Sequence, residues 1–158
     1  PLANASIVPQ VGALFFVKIP GNFKEEGRLT DFSVVRRGGF FYTGPVTFRA
    51  VSENTGTVYL NPYGEIRVHD MFGTEVAAFQ FEPWYVLPES LRSREIVWGA
   101  TGLLGRYTAT LTMNRGYDNV IDSLTISFWV IPPWVGWVAG VLGFFVIVYI
   151  RWRRKKLR

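Results

Sequence analysis

The sequence of 158 residues contains no cysteine and only one histidine, His69. The lack of cysteine excludes disulfide frameworks and thiolate metal centres, and a structural zinc site is hard to build from one histidine. A folded part of this chain must therefore rely on side-chain packing. Aromatic residues make up 16% of the sequence and suit that task, because each buries a large apolar surface.

Charged residues are missing from positions 123 to 150, a stretch rich in Val, Ile, Phe and Trp. The stretch ends at Arg151, and six of the last eight residues are basic. About 20 apolar residues in a helix cross the bilayer core, and a helix satisfies every backbone group of a single pass. We predict a transmembrane helix over residues 132–152 and a basic tail over 153–158. The alternative, a buried core helix, is rarely this long or followed by so many cations.

Both ends of the predicted span carry residues typical of a membrane interface. Pro132 and Pro133 suit a helix start, where a missing N–H leaves no bond unmade. The predicted anchor residues, aromatic and basic, are Trp134, Trp137, Tyr149, Trp152, Arg151, Arg153, Arg154, Lys155 and Lys156. By the positive-inside rule the tail is cytoplasmic and the preceding domain extracytoplasmic, which predicts a single-pass protein of the cell membrane. An exterior domain without disulfides favours a bacterial or archaeal source.

Three glycines within the span allow two interpretations. Gly136 and Gly140 form a G-x-x-x-G pair, and Gly143 lies one turn further on. Small residues at this spacing let two helices approach closely, which predicts a helix–helix partner in the membrane. Glycine is also common in spans that have no such role. The lipid bilayer is the other predicted partner, because the cations of the tail suit anionic headgroups.

The net charge of +5, from 17 basic and 12 acidic residues, comes from the tail. Without the six cations of the tail, residues 1–150 hold 11 basic and 12 acidic groups. A nucleic-acid-binding domain would carry its excess of basic residues on the folded part. The folded part of this chain is close to neutral, so nucleic acid is not a predicted partner.

Residues 11–131 predict one all-β domain. Short apolar or alternating runs are separated by turn signals, with no amphipathic helix among them, which is typical of an immunoglobulin-like β-sandwich. The predicted strands are 11–19, 29–35, 46–51, 58–60, 65–69, 74–81, 94–98, 107–113 and 124–131, with 40–42 as a short edge segment. Residues 1–10 are interpreted as a linker or the end of a missing upstream region, because an outward-facing domain needs a targeting signal.

The predicted strand 107–113 has the clearest alternation, with Tyr107, Ala109, Leu111 and Met113 inward and threonines between them. Tyr107 follows Gly105-Arg106, at the place of the tyrosine corner of immunoglobulin-like domains. Trp98 suits the role of a large core plug. For Tyr107 and Trp98 alike, it is an equally good interpretation that the residue is an ordinary member of an aromatic core.

Four segments resemble sequence patterns of extracellular bacterial immunoglobulin-like proteins. Residues 53–66, ENTGTVYLNPYGEI, resemble an N-x-G-x-x-x-x-x-P-x-G-x-I segment, and Asp70–Gly73 resembles the hairpin turn that follows it. Residues 86–92, VLPESLR, resemble a V-L-P-x-S-x-R element, and residues 105–109, GRYTA, a G-x-Y-x-A strand. In this order, and with the terminal anchor, the chain is similar to the DUF916-type, WxL-interacting-protein-like cell-surface proteins over about Val11 to Arg158.

This resemblance implies immunoglobulin-like domains outside the cell, one C-terminal span and a short basic tail. The outer domains of that family are thought to bind peptidoglycan or surface proteins, which implies cell-wall or surface-protein partners. The chain corresponds to the membrane-proximal part of such proteins, so no binding residue is transferred to it. Within the quoted segments, Gly56, Gly64 and Gly73 are expected to permit positive φ at turns, and Asn54 to bond its own turn.

Catalysis and metal binding find little support in the sequence. His69 lies at an outward position of a predicted strand, and no serine sits on the strand–helix elbow that would make it a nucleophile. Asp118 and Asp122 form either a calcium site with loop carbonyls or, far more commonly, a solvated acidic turn. We predict no enzyme activity, no catalytic residue, no cofactor and no metal site.

The predicted function is a membrane-anchored extracytoplasmic module with a structural or protein/cell-wall interaction role at the bacterial cell surface. One alternative is a small single-pass subunit of a larger membrane assembly, which would pack through the glycine face and Trp137. A second alternative is a surface hydrolase, which requires a pocket with converging polar groups around His69.

Overall fold

The computed structural model describes Val17 and residues 21–35, 40–42, 44–99 and 102–156. Within these residues the chain forms eight β-strands and then one α-helix. The strands are β1 Gly27–Val34, β2 Phe40–Phe41, β3 Val46–Asn54, β4 Tyr63–His69, β5 Glu75–Phe81, β6 Ser90–Trp98, β7 Gly105–Asn114 and β8 Ile121–Val130, and the helix α1 is Pro133–Lys156. The order confirms the predicted immunoglobulin-like β-sandwich followed by one apolar C-terminal helix.

The strands form two sheets that face each other. One sheet has the order β1-β3-β6 and the other the order β2-β8-β7-β4-β5. Every pairing is antiparallel except that of β2 with β8, which is parallel. Successive strands β3 and β4, β5 and β6, and β6 and β7 lie in opposite sheets, which is the crossing pattern of immunoglobulin-like sandwiches.

Alternation of buried and outward residues builds the core between the sheets. Along β3 and along β7 every second side chain is buried, because successive side chains of a strand point to opposite faces. The predicted strands 46–51 and 107–113 and the inward direction predicted for Tyr107, Ala109, Leu111 and Met113 are confirmed. On β4, Ile66 and Val68 are also buried. The buried residues of β3 and β7 are Val46, Phe48, Ala50, Ser52, Asn54, Gly105, Tyr107, Ala109, Leu111 and Met113.

An aromatic cluster occupies the centre of the core. The ring of Phe48 lies 5.9 Å from that of Phe32, 6.5 Å from that of Trp98 and 5.8 Å from that of Phe128. Tyr107 contacts both Trp98 and Phe128, at 5.7 and 5.8 Å between ring centroids. Edge-to-face and offset aromatic contacts of this kind stabilise a core beyond the area that they bury. They join the two sheets, which contain no cysteine for a disulfide.

The hydroxyl of Tyr107 makes the predicted tyrosine corner. It accepts a hydrogen bond from the N–H of Leu104 at 3.2 Å and lies 3.4 Å from the carbonyl oxygen of the same residue. A tyrosine near the start of this strand that bonds a few residues upstream is a hallmark of the fold. Two residues later, where immunoglobulin domains carry a cysteine, the chain has the fully buried Ala109.

Some predicted boundaries differ from the structure. Residues 58–60 form no strand, because Leu60 makes only an isolated bridge to Val86. β6 begins at Ser90 rather than at residue 94, since it pairs with β3 over its full length up to Asn54. Helix α1 continues to Lys156, beyond the predicted end at residue 152. The predicted strand 11–19 lies outside the described residues except for Val17, which is in no strand.

The two ends of the sandwich differ in which strand ends they contain and in their distance from the helix. At the helix-proximal end, β8 finishes at Val130 beside Gly105, and β4 finishes at His69. At the distal end, β1 begins at Gly27, opposite Asn54 at the end of β3. The chain thus enters the described sandwich at the end opposite to the helix. The ten residues of β8 separate the ends by about 33 Å at a rise of ~3.3 Å per residue.

Candidate membrane-anchoring segment

Helix α1 starts directly after the prolines. The N–H of Val135 donates to the carbonyl oxygen of Pro132 at 3.1 Å, which closes the first turn where Pro133 has no N–H to offer. Apolar side chains surround the helix from Pro133 to Arg153, and none of the residues in the most apolar part is buried. A helix that is apolar on all sides belongs to a large core or to a membrane. The sandwich does not bury it, so the core-helix alternative is wrong.

The length of the apolar segment matches a bilayer. Its 21 residues span about 31 Å at 1.5 Å per residue, close to the ~30 Å of a hydrocarbon core. Trp134 and Trp152 are both exposed, and their 18 positions of separation correspond to about 27 Å along the axis. Indole rings at this separation reach both polar–apolar boundaries of a membrane. Length and composition are therefore those of a single-pass anchor.

The other predicted anchor residues follow the same axis. Trp137 and Tyr149 are exposed, and so are Arg151 and Arg153 near the end of the helix. Arg154, Lys155 and Lys156 form its last turn, and their side chains lie outside the described part. Cations at the C-terminus of a helix also stabilise it through the negative end of its dipole.

The predicted glycine face is open. At Gly136, Gly140 and Gly143 no atom lies near the position that a β-carbon would take. The first two glycines form the floor of a groove of about 440 Å³ on one side of the helix. The groove is lined by Pro133, Gly136, Trp137, Gly140, Val141 and Phe144. Gly143 is not among these lining residues, and the helix–helix contact stays a prediction.

The connection between sandwich and helix is short and held in place. Only Ile131 and Pro132 separate β8 from α1. The N–H of Ile131 donates to the carbonyl oxygen of Phe41 on β2 at 2.7 Å, and Pro132 is buried. The parallel pairing of β2 with β8 therefore continues into the connection and fixes the point where the chain leaves the sandwich.

Two of the four segments that carry the family resemblance, residues 53–66 and 86–92, meet at the distal end around Asn54. Its buried amide donates to the carbonyl oxygens of Val58 and Val86 at 2.8 and 2.9 Å, and its oxygen accepts from the N–H of Gly56 at 2.9 Å. The predicted bond of Asn54 within its own turn is confirmed. The hydroxyl of Ser90 donates to the carbonyl oxygen of Leu87 at 2.6 Å and holds the second segment. These residues specify the fold at this end.

The glycines of these segments act differently from the prediction at two positions. Gly73 has a φ of 83°, as predicted. Gly56 and Gly64 have no positive φ but are closely approached by backbone: a β-carbon at Gly56 would collide with the carbonyl oxygen of Lys24, and one at Gly64 with that of Thr112. Glycine is therefore required at positions 56 and 64, because the neighbouring loop or strand leaves no space for a β-carbon.

A partly buried ion pair in the turn between β7 and β8 bonds to β1 of the opposite sheet at the distal end, and sequence reasoning missed it. Arg115 donates to both carboxylate oxygens of Asp122, at 2.9 and 2.6 Å, and Asp122 also accepts from the N–H of Leu29 at 2.9 Å. The hydroxyl of Tyr117 bridges to the backbone of Gly27 at 3.1 and 3.2 Å. These bonds hold β1 against the turn between β7 and β8. The only sequence signal was the placement of both charges next to that turn.

Electrostatics at this pair favour the charged forms. Burial raises the pKa of Asp122, but the hydrogen bonds from Arg115 and Leu29 and the positive charge of Arg115 outweigh it and lower the pKa below its ordinary value. The pKa of Arg115 is raised, chiefly by its hydrogen bond to Asp122. The oxygens of Asp122 are thus engaged by donors, whereas the calcium interpretation would need them as ligands beside Asp118, which is exposed.

His69 lies at the helix-proximal end of β4. Its Nε2 atom is 4.0 Å from the carboxylate of Glu75, and about a third of the side chain is exposed. Among the described residues no group of three or more His, Asp and Glu side chains could hold a metal ion. The neighbours of His69 are strand residues of an open surface, Thr108 on β7 and Glu75 on β5.

No protein-family model and no curated protein matches the sequence. Among solved structures, the chain is similar to the C-terminal domain of wzt, with 10% identity, a TM-score of 0.47, and coverage of 70% of this chain and 79% of that one. It is also similar to the CARDB domain of the PF1109 protein from Pyrococcus furiosus, solved with di-metal ions, with 14% identity, a TM-score of 0.46, and coverage of 72% and 99%. Neither likeness is close enough to carry over a ligand or a partner.

Proposed function

We propose that this chain is a membrane-anchored, non-enzymatic module whose immunoglobulin-like sandwich stands outside the cytoplasm of a bacterial cell. The observation that carries the proposal is the apolar helix Pro133–Arg153, whose most apolar part the sandwich leaves unburied. In water such a helix would expose an apolar surface far larger than soluble monomers tolerate. In a bilayer the same surface is solvated, and every backbone group is satisfied within the helix.

The proposed role of the sandwich is structural or in protein and cell-wall interaction at the cell surface. The chain enters the described sandwich at the distal end and leaves it at the helix, so Gly27 lies up to about 33 Å further from the membrane than the end of β8. The two-residue connection and the bonds of β2 make this spacer stiff. Membership of the DUF916-type cell-surface proteins is part of this proposal, supported by the meeting of two of the four resembling segments around Asn54.

A labelling experiment tests anchoring and sidedness together. The sequence has no cysteine, so each introduced thiol is the sole target of a maleimide. We expect a membrane-impermeant maleimide to label Ser93→Cys, on the exposed edge of β6, in intact spheroplasts. Leu157→Cys in the tail should react only after permeabilisation. Both variants should remain in the membrane on alkaline extraction; release into the supernatant, or the reverse labelling pattern, contradicts the proposal.

A second candidate function is a small single-pass subunit of a larger membrane assembly. The groove above Gly136 and Gly140, rimmed by Trp137 and Phe144, is the observation that favours it, because small residues admit a second helix and large ones surround it. We expect Gly136→Leu with Gly140→Leu to dissociate such an assembly in native mass spectrometry from mild detergent. Ala139→Leu, at a position that does not line the groove, is the matched control. A lone monomer for the unaltered chain removes this candidate.

A further inference from the structure

The connection to the helix fixes how far the helix-proximal end can lie from the membrane. Three consecutive Cα–Cα steps join Val130 to Pro133 and reach at most about 11 Å. If α1 spans the bilayer, as the proposed function holds, the last residue of β8 is within that distance of the start of the span. Described turns that lie beside Val130 are then close to the headgroups.

The turn between β4 and β5 shares this end. Gly105 pairs with Val130, and the methyl group of Met71 lies against Gly105, where a β-carbon would collide with it. The positive φ of 113° at Gly105 adds to the need for glycine there. The contact places Met71, and with it the tip of the turn, beside the end of β8.

The turn holds an apolar side chain outward. Oδ1 of Asp70 accepts hydrogen bonds from the N–H groups of Phe72 and Thr74, at 2.8 and 2.9 Å, and the N–H of Gly73 donates to the carbonyl oxygen of Asp70 at 3.1 Å. The backbone of the turn is thus fixed from within. Phe72 is nevertheless 85% exposed, the largest exposed fraction of any large apolar side chain in the described sandwich.

Other exposed apolar side chains belong to the same end. They are Met71, Leu104, Trp129 and Ile131, followed by Trp134 in the first turn of the helix. Arg106 lies opposite Trp129 across the strand pair, and its guanidinium group is exposed and bonded to Ser127 at 3.2 Å. Protein surfaces that lie in a membrane interface combine apolar side chains with aromatic rings and nearby cations, and this end of the sandwich has the same combination.

We propose that the helix-proximal end of the sandwich rests on the outer leaflet and that Phe72 inserts at the boundary of headgroups and acyl chains. This rests on the proposed function and adds a second membrane contact, which restrains the tilt of the sandwich. The carboxylates of Asp70 and Glu75 lie at the base of the turn and limit insertion to its tip, since burying them in lipid is costly. The bilayer is the occupant because the exposed residues continue the apolar surface of the span along the same chain.

Depth-dependent quenching tests this contact on the full chain. The chain is reconstituted in phosphatidylethanolamine and phosphatidylglycerol vesicles, with an environment-sensitive fluorophore on Phe72→Cys, and flotation of the vesicles reports anchoring separately. We expect a blue-shifted emission and several-fold stronger quenching by nitroxide lipids than for Ser93→Cys, an exposed position on β6. Asn119→Cys, in the exposed distal turn, should also be weakly quenched.

Each result has one meaning for the proposal. A water-like emission at Phe72→Cys in floated vesicles overturns the membrane contact and leaves the anchor intact. A blue shift without lipid quenching, or one that depends on protein density in the vesicles, overturns it in favour of a protein partner or a second copy. Failure to float overturns the proposed function itself.

A second variant keeps the test independent of the label at Phe72. We expect Phe72→Ser to reduce lipid quenching of a fluorophore on Leu104→Cys severalfold and to leave flotation unchanged, because the helix still anchors the chain. Thr74→Ser in the same turn keeps the backbone bond to Asp70 and should leave the quenching unaltered. Equal quenching with and without Phe72 contradicts the insertion of its ring.

Discussion

At the scale of single residues, the ion pair of Arg115 and Asp122 closes the turn between β7 and β8, and Asp122 also bonds to Leu29 on the opposite sheet. We expect Asp122→Asn to lower the free energy of unfolding by about 1–3 kcal/mol, because Arg115 is left without its counter-charge in a partly buried place. Thermal and urea unfolding of the full chain in mild detergent at pH 7, followed by near-ultraviolet circular dichroism, measures this loss. Asp118→Asn, in the exposed turn nearby, makes the same change of charge and should be nearly neutral.

The same variant has a predicted pH dependence. The pKa of Asp122 is lower in the folded than in the unfolded chain, so its contribution to stability is present above the unfolded value of about 4 and is lost as the pH falls through the folded value. The difference in stability between the unaltered chain and Asp122→Asn should therefore be full at pH 7 and shrink below about pH 4. A difference that stays constant over this range contradicts the role assigned to the carboxylate.

The tyrosine corner gives a second prediction at this scale. We expect Tyr107→Phe to cost about 0.5–1.5 kcal/mol of unfolding free energy, since the N–H of Leu104 loses its bond to the hydroxyl while the ring stays in the core. The same unfolding measurement applies. Tyr63→Phe removes the hydroxyl of an exposed tyrosine on β4 and serves as the control; an equal loss in both variants would contradict a specific role for the corner.

At the scale of elements, a charged residue is expected to disfavour membrane insertion most when it lies in the middle of α1. We expect Leu142→Arg to make membrane insertion less favourable by about 3 kcal/mol, because the guanidinium group would lie near the bilayer centre. The measurement is the fraction of the chain that resists alkaline extraction. Tyr149→Arg places the same group near the end of the span, where the long side chain reaches the interface. Almost all of this variant chain should therefore insert into the membrane. Equal insertion of the two variants would mean that α1 does not cross the bilayer.

The elements also show what could be predicted from the sequence. The alternation of β7 and the uncharged length of α1 are local patterns, and each predicted the correct type of element. The start of β6 was missed because Leu91, Arg92 and Ser93 are exposed and show no alternation; pairing with β3 alone makes them a strand. Pairing across the sheet is a property of the fold, and the same is true of the bond between Asp122 and Leu29 on β1.

The features of the candidate anchoring segment and of its surroundings also divide into those that could be predicted from the sequence and those that depend on the fold. The apolar helix with exposed aromatic residues at both ends could be predicted, because that pattern is local to one segment of the sequence, and the anchoring role of these residues stays a prediction. The exposure of Phe72 was not, since an apolar residue between Asp70 and Gly73 could equally have been a turn residue folded onto the core. The contact of Met71 with Gly105, which places that turn beside the end of β8, joins positions far apart in the sequence.

At the scale of the whole molecule, charge is separated along the chain. The six cations of residues 151–158 follow the span, whereas the sandwich is close to neutral. Because loops rich in Lys and Arg near a span are retained in the cytoplasm, this separation should determine which side the sandwich faces. The covalent order of sandwich, short connection, helix and tail then leaves one orientation in which the six cations of the tail avoid crossing the bilayer.

Neutralising the tail tests this orientation. We expect replacement of its six Lys and Arg residues by Gln to produce a mixed population, in which Leu157→Cys is partly labelled from outside, because the retention signal is gone. The control removes positive charge far from the span, with Arg28→Gln, Arg49→Gln and Arg92→Gln, and should keep one orientation. Thiol labelling in intact and permeabilised spheroplasts measures both. A fully inward tail after neutralisation would show that the sandwich side of the span, and its contact with the outer leaflet, determines the topology instead of the charge.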